Sequence, residues 1–518
     1  MRTNQKIKIC FLASNDLTHD PRVRRQIESA AKKGFKTLAL GFSWARVDGV
    51  KQKETAGGYG VERFYFKEET GSKREKAKNI AQVPTTADLI ELVKPIIILP
   101  VFLVEFLIRI VLFILRVPYY LYRMPFYFYR QLKVNFFPDF HLKQIYKSWQ
   151  KNKKIKNEEL RPVANLEKAE AKNIESTSEI KSEQNVQTKS LFWFSGFKKY
   201  VSNFYYQINL IEYYKSLTSQ FISRSVIFQP DIVHANDLDT LLAGYLIKRK
   251  TGAKLVYDAH EIWTEMGSTF PRTINFVFKM IEKYLLKRVD AFVSVNQSII
   301  DYLARLYKID FKQESIITSP IYNAPNYQKV RKNYSVKSIK VLYQGRFEFN
   351  RGLEEYIEAT DKVKSAEFFI RGYGINEPEL RELAQKKKNQ NLTFLEPVEM
   401  SEMTEKASFA QIGVLPYLPK STNNYLCTPN KLFEYMMAGL ALCVSDLPEL
   451  KYLVQKHQIG VTFTPGDSDS LAKAIANLAK NKEKLIAMQK NSLKASQVLN
   501  WEKESEKLSL IYQQILKQ

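Results

Sequence analysis

The sequence predicts an α/β protein made of two doubly wound parallel-sheet domains in tandem, with a helical insertion in the first. Three observations support this fold class. Short apolar runs typical of buried strands alternate with segments of helical periodicity. The alternation restarts beyond residue 323, and one long segment of different composition interrupts its first half. A chain of 518 residues that is 45% hydrophobic can build two such cores.

The first domain is predicted to comprise residues 1–66 and 230–325. Its first apolar run is about six residues long, which is too short for a secretory signal, so it is interpreted as a strand. A helical pattern from Pro21 to Lys33 follows, and Gly34 ends it. The predicted strands of this domain are 7–13, 37–42, 230–237, 253–261 and 290–296.

The second domain is predicted at 337–495, after a polar linker at 326–336, and a C-terminal helix at 496–518 is expected to return toward the first domain. Its strand-like runs are 339–345, 366–374, 391–397, 412–417, 440–446 and 460–466. Ligands of open α/β sheets bind at the carboxyl ends of the strands. The two domains are therefore expected to enclose a binding cleft.

The insertion is predicted at 67–229 and has three parts. Residues 88–150 are apolar and then aromatic and basic, 158–190 are polar and expected to be flexible, and 191–225 are expected to form an amphipathic helix. The run 95–115 is long enough to span a bilayer. One span would separate strands of a single sheet, so a re-entrant or in-plane hairpin is predicted instead. The alternative is that the insertion packs on its own domain as additional core.

The formal net charge of +25 predicts an anionic partner. Because the stretch 117–156 combines many lysines and arginines with aromatic residues, an anionic membrane surface is favoured over nucleic acid, for which no recognition motif is present. Three separated cysteines, Cys10, Cys427 and Cys443, support neither disulfides nor a zinc site. We expect a peripheral or monotopic protein on the cytoplasmic face of the membrane.

Two glycine-rich segments follow strands of the second domain. In the first, Gly345 permits close backbone approach, while Arg346 and Arg351 stand near a helix start, where guanidinium groups bind a diphosphate. In the second, Gly372 and Gly374 could admit a nucleotide base or phosphate beside the backbone.

A third segment predicts the start of a helix that binds an anion. Thr428 is a suitable N-cap, Pro429 suits the first helical position, and Asn430 and Lys431 follow. One turn further on, Glu434 stands in an otherwise apolar helix, where a carboxylate is costly unless it accepts hydrogen bonds. Two ribose hydroxyls would supply them.

These segments, in this order, resemble the family-4 glycosyltransferases, as do PNKLFEYMMAG, HDPRVRRQ, PDIVHAND and VYDAHE. The resemblance covers everything except the insertion. It implies a GT-B fold of two Rossmann-like domains and a retaining, hexosyltransferase-type transfer from a nucleotide-sugar donor to an acceptor hydroxyl. The expected acceptor is a membrane-associated glycan or a lipid-linked molecule, in bacterial cell-surface polysaccharide or glycolipid synthesis.

The resemblance also implies roles for individual residues. Arg346 and Arg351 match the basic pair on the donor diphosphate, Glu434 matches the glutamate that holds the ribose, and His260 matches an active-site histidine. The family has another glutamate eight residues before the one that Glu434 matches, and Leu426 stands at that position here. The loop 421–428 must therefore hold the donor sugar differently, for example through Asn423, Asn424 or backbone amides.

Four further polar residues are expected at the cleft. Asp258 and Glu261 are predicted partners of His260, and Asn15 and Asp16 follow the first strand and could contact the acceptor or a donor phosphate.

No metal and no cofactor are expected, and the nucleotide sugar is a substrate. The pairs Asp237/Asp239 and Asp467/Asp469 resemble a metal-binding DxD, but both open helices and are interpreted as N-caps. Alternatives that stay open are a sugar-nucleotide epimerase or phosphorylase on the same fold, and a catalytically degenerate membrane scaffold.

Overall fold

The computed structural model describes residues 6–18, 20–45, 50–56, 58–67, 209–267, 272–334, 337–387 and 391–518. The chain divides into two compact units, residues 1–84 with 210–518 and residues 85–209. Apart from Asn209, the described residues belong to the first unit. The predicted membrane-associating part at 88–150 and the polar part at 158–190 lie outside the described residues.

The first sheet has eight strands among the described residues. They are β1 (Lys8–Ala13), β2 (Lys36–Ala45), β3 (Lys53–Ala56), β4 (Tyr59–Lys67), β5 (Ile232–Asn236), β6 (Lys254–Ala259), β7 (Ala291–Ser294) and β8 (Ile317–Pro320). Their order is β3-β4-β2-β1-β5-β6-β7-β8, and only the β3–β4 pair is antiparallel. The helices are α1 (Pro21–Lys32), α2 (209–228), α3 (Leu238–Thr251), α4 (Arg272–Leu286) and α5 (Gln297–Tyr307).

Helix α2 belongs to the core of the first domain, although the sequence assigned its residues to the insertion. Tyr213 packs edge-on against Phe42 with ring centroids 4.9 Å apart and stacks on Trp44 at 4.4 Å. Phe221 and Leu217 are buried in the same region. Since β5 pairs with β1 rather than with β4, the chain must cross back over the sheet, and α2 ends that crossover.

The second sheet is entirely parallel, with the order β11-β10-β9-β12-β13-β14. Its strands are β9 (Ile339–Gln344), β10 (Ala366–Arg371), β11 (Leu392–Leu395), β12 (Ile412–Leu415), β13 (Ala441–Ser445) and β14 (Gly460–Phe463). The helices are α6 (Leu353–Lys362), α7 (Glu377–Lys386), α8 (Met403–Ala407), α9 (Thr422–Tyr425), α10 (Asn430–Met437), α11 (Pro448–His457), α12 (Ser468–Lys480), α13 (Lys482–Ser496) and α14 (Trp501–Ile515).

Both faces of the second sheet are covered, which explains why its strands are continuous apolar runs. Val341 and Leu342 are neighbours on β9 but belong to two different core clusters, one on each face. The strand order reverses between β9 and β12, as it does between β1 and β5 in the first sheet. Such reversal points open a crevice at the carboxyl ends of the strands.

Helix α14 packs on the first domain although it follows the second domain in the chain. Asn500 caps it by accepting a hydrogen bond from the Lys503 backbone at 3.1 Å. Trp501 and Tyr512 are buried in the same cluster as strands β1 and β5. The Trp501 indole donates to Ser29 Oγ on α1 at 2.7 Å, which fixes where this helix begins.

None of the helices in the described ranges combines the length and the apolar character that spanning a bilayer requires. The apolar run 95–115 lies outside those ranges.

Candidate active site

The loop after β9 brings the backbone of Gly345 against a lysine. Gly345 has φ +140°, and a Cβ atom at this position would lie 2.6 Å from Lys431 Nζ. Any larger residue would therefore displace the lysine. This contact joins two segments that the sequence singled out separately, the glycine-rich loop and the helix that begins near residue 430.

Lys431, on the first turn of α10, is a buried cation without an anionic partner. Its ammonium donates to Tyr343 Oη at 3.0 Å and lies 4.1 Å from the centre of the Tyr343 ring. Burial, reinforced by the charge of Arg351, lowers the pKa of Lys431 to about 7. Within the described residues no carboxylate lies at ion-pair distance from it.

Arg351 shares an aromatic ring with Lys431. Its guanidinium carbon lies 4.7 Å from the centre of the Tyr417 ring, and Lys431 Nζ lies 5.3 Å from the same centre. Glu348 pairs with Arg351 at 2.7 Å. Two basic side chains thus face one ring, and among the described residues Glu348 is the one carboxylate that forms an ion pair with either of them.

Arg346 is exposed at the edge of this group, 5.8 Å from the centre of the Tyr373 ring. Its side chain forms no hydrogen bond or ion pair with another residue that the structure describes. It can therefore reach a ligand without breaking a contact to the protein.

The close packing of two loops explains why glycine is needed at Gly372 and Gly374. A Cβ at Gly372 would lie 1.9 Å from the Gly345 carbonyl oxygen, and one at Gly374 would lie 2.3 Å from that of Phe347. The sequence interpretation placed a base or phosphate beside these glycines. The protein's own backbone occupies the side where a Cβ would stand, so these residues position the loop 345–347.

Helix α10 begins one residue later than predicted. Asn430 is its first residue, and Pro429 stands at the N-cap with φ −70° and ψ 143° and no capping side chain. Thr428 precedes the N-cap, and its hydroxyl accepts a hydrogen bond from Asn296 Nδ2 at 2.9 Å. The predicted end of the helix is confirmed, since Gly439 has φ +69°.

Glu434 lies one turn beyond Lys431 and is half-buried. Burial raises the pKa of its carboxyl group, while the charges of Lys431 and of Arg25 on α1 oppose that shift. Arg25 belongs to the first domain, so the helix of one domain acts electrostatically on the carboxylate of the other.

His260 follows β6 and lies in a network of charged residues. Its Nδ1 lies 3.2 Å from Asp237 Oδ2, and its Nε2 lies 3.2 Å from Asn236 Oδ1 and 3.5 Å from Asp258 Oδ2. Burial alone would lower the pKa of His260, but Asp237 and Asp258 raise it to about 10. The two carboxylates therefore favour the protonated form of His260.

Asp258 is fixed by a buried ion pair with Arg22 of α1. The two side chains form hydrogen bonds of 2.8, 3.0 and 3.1 Å, and both are essentially inaccessible to solvent. Although burial opposes ionisation, the Arg22 guanidinium holds the pKa of Asp258 well below its ordinary range. Asp258 thus contacts His260, as predicted, and remains an anion.

The interpretation of Asp237 as a helix N-cap is confirmed for its position but not for its side chain. Asp237 does occupy the N-cap position of α3, but its side chain makes no capping bond. Its Oδ1 instead accepts from the His260 backbone N–H at 2.9 Å. The other predicted cap is confirmed, because Asp467 accepts from the backbone N–H groups of Asp469 and Ser470.

Asn15 and Asp16 lie after β1, as predicted, but their side chains form local turns. Asn15 Oδ1 accepts from the Leu17 N–H at 2.8 Å, and Asp16 Oδ1 accepts from the Thr18 N–H at 2.9 Å. Next to them, Ser14 Oγ donates to Asp239, whose pKa burial raises to about 7.

The loop 421–428 contacts the first domain through two asparagines. Asn423 Oδ1 accepts from the Ile262 N–H at 2.8 Å, and its Nδ2 donates to Glu261 at 3.4 Å. Asn296, which is fully buried after β7, donates to the Leu426 carbonyl at 2.7 Å and to Thr428. These bonds hold the loop against the carboxyl ends of β6 and β7.

Sequence reasoning missed Asn236, Asp237 and Asn296 as members of this site. Each is a polar residue at the carboxyl end of a parallel strand, the same signal that identified His260 and Asn15. The described residues contain no group of three or more His, Cys, Asp or Glu placed to hold a metal ion. That transfer needs no metal stays a prediction.

Two family models match the chain. The model for group 1 glycosyl transferases matches residues 338–481, and that for glycosyltransferase family 4 matches residues 181–321. Together the matched ranges exceed half of the chain. No curated protein is similar in sequence.

Similar solved structures cover nearly the whole chain. Sucrose-phosphate synthase from Thermosynechococcus elongatus has a TM-score of 0.60 at 14% identity and covers 99% of this chain and 100% of its own. A trehalose-6-phosphate protein from E. coli bound with UDP-2-fluoro glucose has a TM-score of 0.54 at 10% identity, covering 98% and 99%. A trehalose-6-phosphate synthase, studied for glycosyltransfer with retention through bisubstrate glycomimetics, has a TM-score of 0.53 at 10% identity, covering 97% and 99%.

The two parallel-sheet domains of this protein match the GT-B architecture of these structures. Because a glycosyltransferase family model matches each of the two domains, the chain belongs to the family-4 glycosyltransferases of GT-B fold.

Proposed function

We propose that the protein transfers a hexosyl unit from a nucleotide-sugar donor to a hydroxyl group of a membrane-associated glycan or lipid-linked acceptor, with retention of configuration. The expected setting is the synthesis of bacterial cell-surface polysaccharide or glycolipid. This goes beyond glycosyltransferase activity, because it names the donor, the class of acceptor and the stereochemical course of the transfer.

The observation that carries the proposal is the pair of cations at Tyr417. Lys431 lacks a carboxylate partner among the described residues, and Arg351 has only Glu348. A buried, unpaired ammonium is unfavourable in the empty site and becomes favourable when an anion with several oxygens arrives. A diphosphate supplies that charge, and the exposed guanidinium of Arg346 is placed to close over it.

Glu434 is the residue that would bind the nucleoside part of the donor. It is half-buried on the same helix as Lys431, with no ion pair to another residue within the described parts of the chain. Vicinal ribose hydroxyls would donate to both of its oxygens, which would compensate for its burial. The E. coli relative with bound UDP-2-fluoro glucose supports a nucleotide sugar as the donor class.

The proposed reaction breaks the bond between the sugar C1 and the diphosphate oxygen and forms a bond from C1 to the acceptor oxygen on the same face. The acceptor proton passes to the departing diphosphate. Lys431, Arg351 and Arg346 would stabilise the negative charge that develops on that leaving group. These three cations take the place of a metal ion, so we expect the rate to persist in EDTA. The relative studied for glycosyltransfer with retention supports the stereochemical course.

Replacing Arg351 tests the donor site. In Arg351→Ala, we expect the transfer rate to fall by roughly 100-fold or more, since loss of one donor that stabilises developing charge costs that much. Arg381→Ala is the matched control, because Arg381 pairs with Glu377 on the exposed face of α7 in the same domain. Product formation with labelled donor should drop only in the first variant, at unchanged thermal stability. Equal turnover in both variants would reject the assignment.

A further inference from the structure

Asp237 has a backbone conformation that residues other than glycine seldom adopt. Its φ is 62° and its ψ is 167°, directly after the central strand β5. A side chain in this region costs on the order of 1–3 kcal/mol and persists only where the surroundings enforce it. Here the Asp237 N–H donates to the Asp258 carbonyl at 2.9 Å, and the carboxylate holds the residue that follows β6.

The Asp237 carboxylate binds His260 twice. Oδ1 accepts from the His260 backbone N–H at 2.9 Å, and Oδ2 lies 3.2 Å from the ring Nδ1. A carboxylate only accepts hydrogen bonds. Nδ1 of His260 therefore carries a proton.

The opposite ring nitrogen also faces only acceptors. The Asn236 amide is oriented by its Nδ2, which donates to the Leu12 carbonyl at 3.0 Å, so its Oδ1 points at His260 Nε2 from 3.2 Å. Asp258 Oδ2 lies 3.5 Å from Nε2 and remains ionised beside Arg22. Nε2 therefore carries a proton as well.

We propose that Asp237 is a positioning residue that holds His260 as a fixed imidazolium at the floor of the cleft. His260 then acts in transfer through its positive charge, and never as a base. This inference rests on the proposed function for its consequence in the reaction, but not for the protonation state itself. With 14% of its side chain exposed, His260 can be reached from the cleft.

The charge of this cluster supports the assignment. Asp237 and Asp258 are balanced by Arg22 and a protonated His260, whereas a neutral His260 would leave one excess negative charge where an anionic donor must approach. The other titratable groups that interact with His260 itself are Asp239 on α3, His234 on β5, and Glu261, which Arg351 faces from the second domain. Glu282, Tyr257 and Tyr512 interact with its partners Asp237 and Asp258.

Histidine NMR tests the protonation state without any substrate. The full-length protein, labelled with ¹⁵N and ¹³C at its five histidines, is titrated from pH 5.5 to 9.5, and the signal lost in His260→Gln identifies the residue. We expect the wild-type His260 signal to remain that of an imidazolium up to at least pH 8.5. A deprotonation midpoint near the ordinary pKa of about 6.5 would overturn the proposal.

Asp237→Asn tests the positioning role. The amide can still accept from the His260 backbone but presents N–H to Nδ1, so the midpoint should fall by more than one pH unit. The transfer rate of the variant should then fall as pH rises through the new midpoint and recover at lower pH. The wild-type rate should show no such transition in this pH range. Asp467→Asn, which removes one carboxylate from a helix N-cap elsewhere, should match the wild type in both readouts.

The outcomes separate the two proposals. An unshifted His260 signal in Asp237→Asn, or a pH profile identical to that of wild type, would overturn the positioning role. If Asp237→Asn does not fold, the wild-type titration decides. An imidazolium signal in a protein that transfers no sugar would contradict the proposed function and support the assignment for His260.

Discussion

Lys431 is the buried lysine of the proposed donor site. In the free protein its ammonium is desolvated, and burial together with Arg351 lowers its pKa to about 7. In the unfolded chain this pKa returns to its ordinary value near 10.4. Between these two values the unfolded state binds the proton more tightly, so Lys431 contributes a stability that rises with pH. Burial of this cation thus opposes folding near neutral pH.

Donor binding should reverse this shift, and the proton uptake that results is measurable. At pH 8, Lys431 is mostly neutral in the free protein, and a bound diphosphate restores the charged form. We expect calorimetric titration with a nucleoside diphosphate, in buffers of different ionisation enthalpy, to show uptake approaching one proton per site.

Lys431→Arg is the matched control for that titration. Arginine remains protonated at pH 8, so binding to this variant should take up little or no proton. Equal proton uptake by the two proteins would assign the titrating group to another residue.

At the residue scale, the sequence identified most of the charged residues of the site, but it did not show where their side chains point. Arg351 and Lys431 were identified because each stands near a helix start, Glu434 because a carboxylate in an apolar helix is costly without hydrogen bonds, and His260 from the family resemblance and its place after a strand. Asp237 occupies the predicted N-cap position of α3, but its side chain binds His260 instead of capping the helix. Its unusual φ depends on a tertiary contact with His260, 23 residues away, which no local pattern reports.

At the scale of elements, the loop 421–428 is held by the first domain. Asn296 uses its Oδ1 to cap α5 through the Ile299 N–H at 2.9 Å, and its Nδ2 to bind Leu426 and Thr428. The Thr428 hydroxyl, which was predicted to cap α10, thus contacts the first domain instead.

Asn296→Asp should separate the capping of α5 by Asn296 from its hydrogen bonds to the loop 421–428. Aspartate still caps α5 but loses both donated hydrogen bonds, each worth about 1 kcal/mol, and it adds charge near the loop. We expect the KM for the donor to rise by about tenfold, together with a fall in Tm, because Asn296 is fully buried. Asn481→Asp, at the N-cap of α13, keeps its cap to Lys484 and should leave the KM unchanged. An unchanged KM in both variants would mean that the loop does not shape the donor site.

At the scale of the whole molecule, the fold was predictable because most strands are apolar runs between helical segments. Strands β3, β4 and β8 were not predicted, since β3 and β8 are short and partly polar and β4 follows β3 with no helix between them. The Rossmann-like order of both sheets follows from that alternation and the handedness of βαβ crossovers. The place of α2 was not predictable, since 209–228 follow a long insertion and resemble its amphipathic end. Their membership in the core depends on Trp44 and Phe42, which lie far away in the sequence.

The insertion carries the membrane part of the proposal, and deletion tests it. Residues 88–150 lie outside the described residues, and their apolar, aromatic and basic sequence predicts attachment to an anionic bilayer. A variant without 88–150 should lose sedimentation with anionic vesicles while keeping donor binding, since the donor residues lie in the second domain. Continued sedimentation would show that another part of the chain holds the membrane.

The central claim is that the Lys431 and Arg351 pair binds the diphosphate of a nucleotide sugar. It is tested most directly by a thermal-shift screen with UDP-, GDP-, ADP- and dTDP-sugars on the wild type and on Lys431→Met. A ligand at 100 times its Kd stabilises a protein by about 2.7 kcal/mol. At least one donor class should raise the Tm of the wild type by several degrees and that of Lys431→Met by much less. No shift with any of the four classes, or equal shifts in both proteins, would contradict the claim.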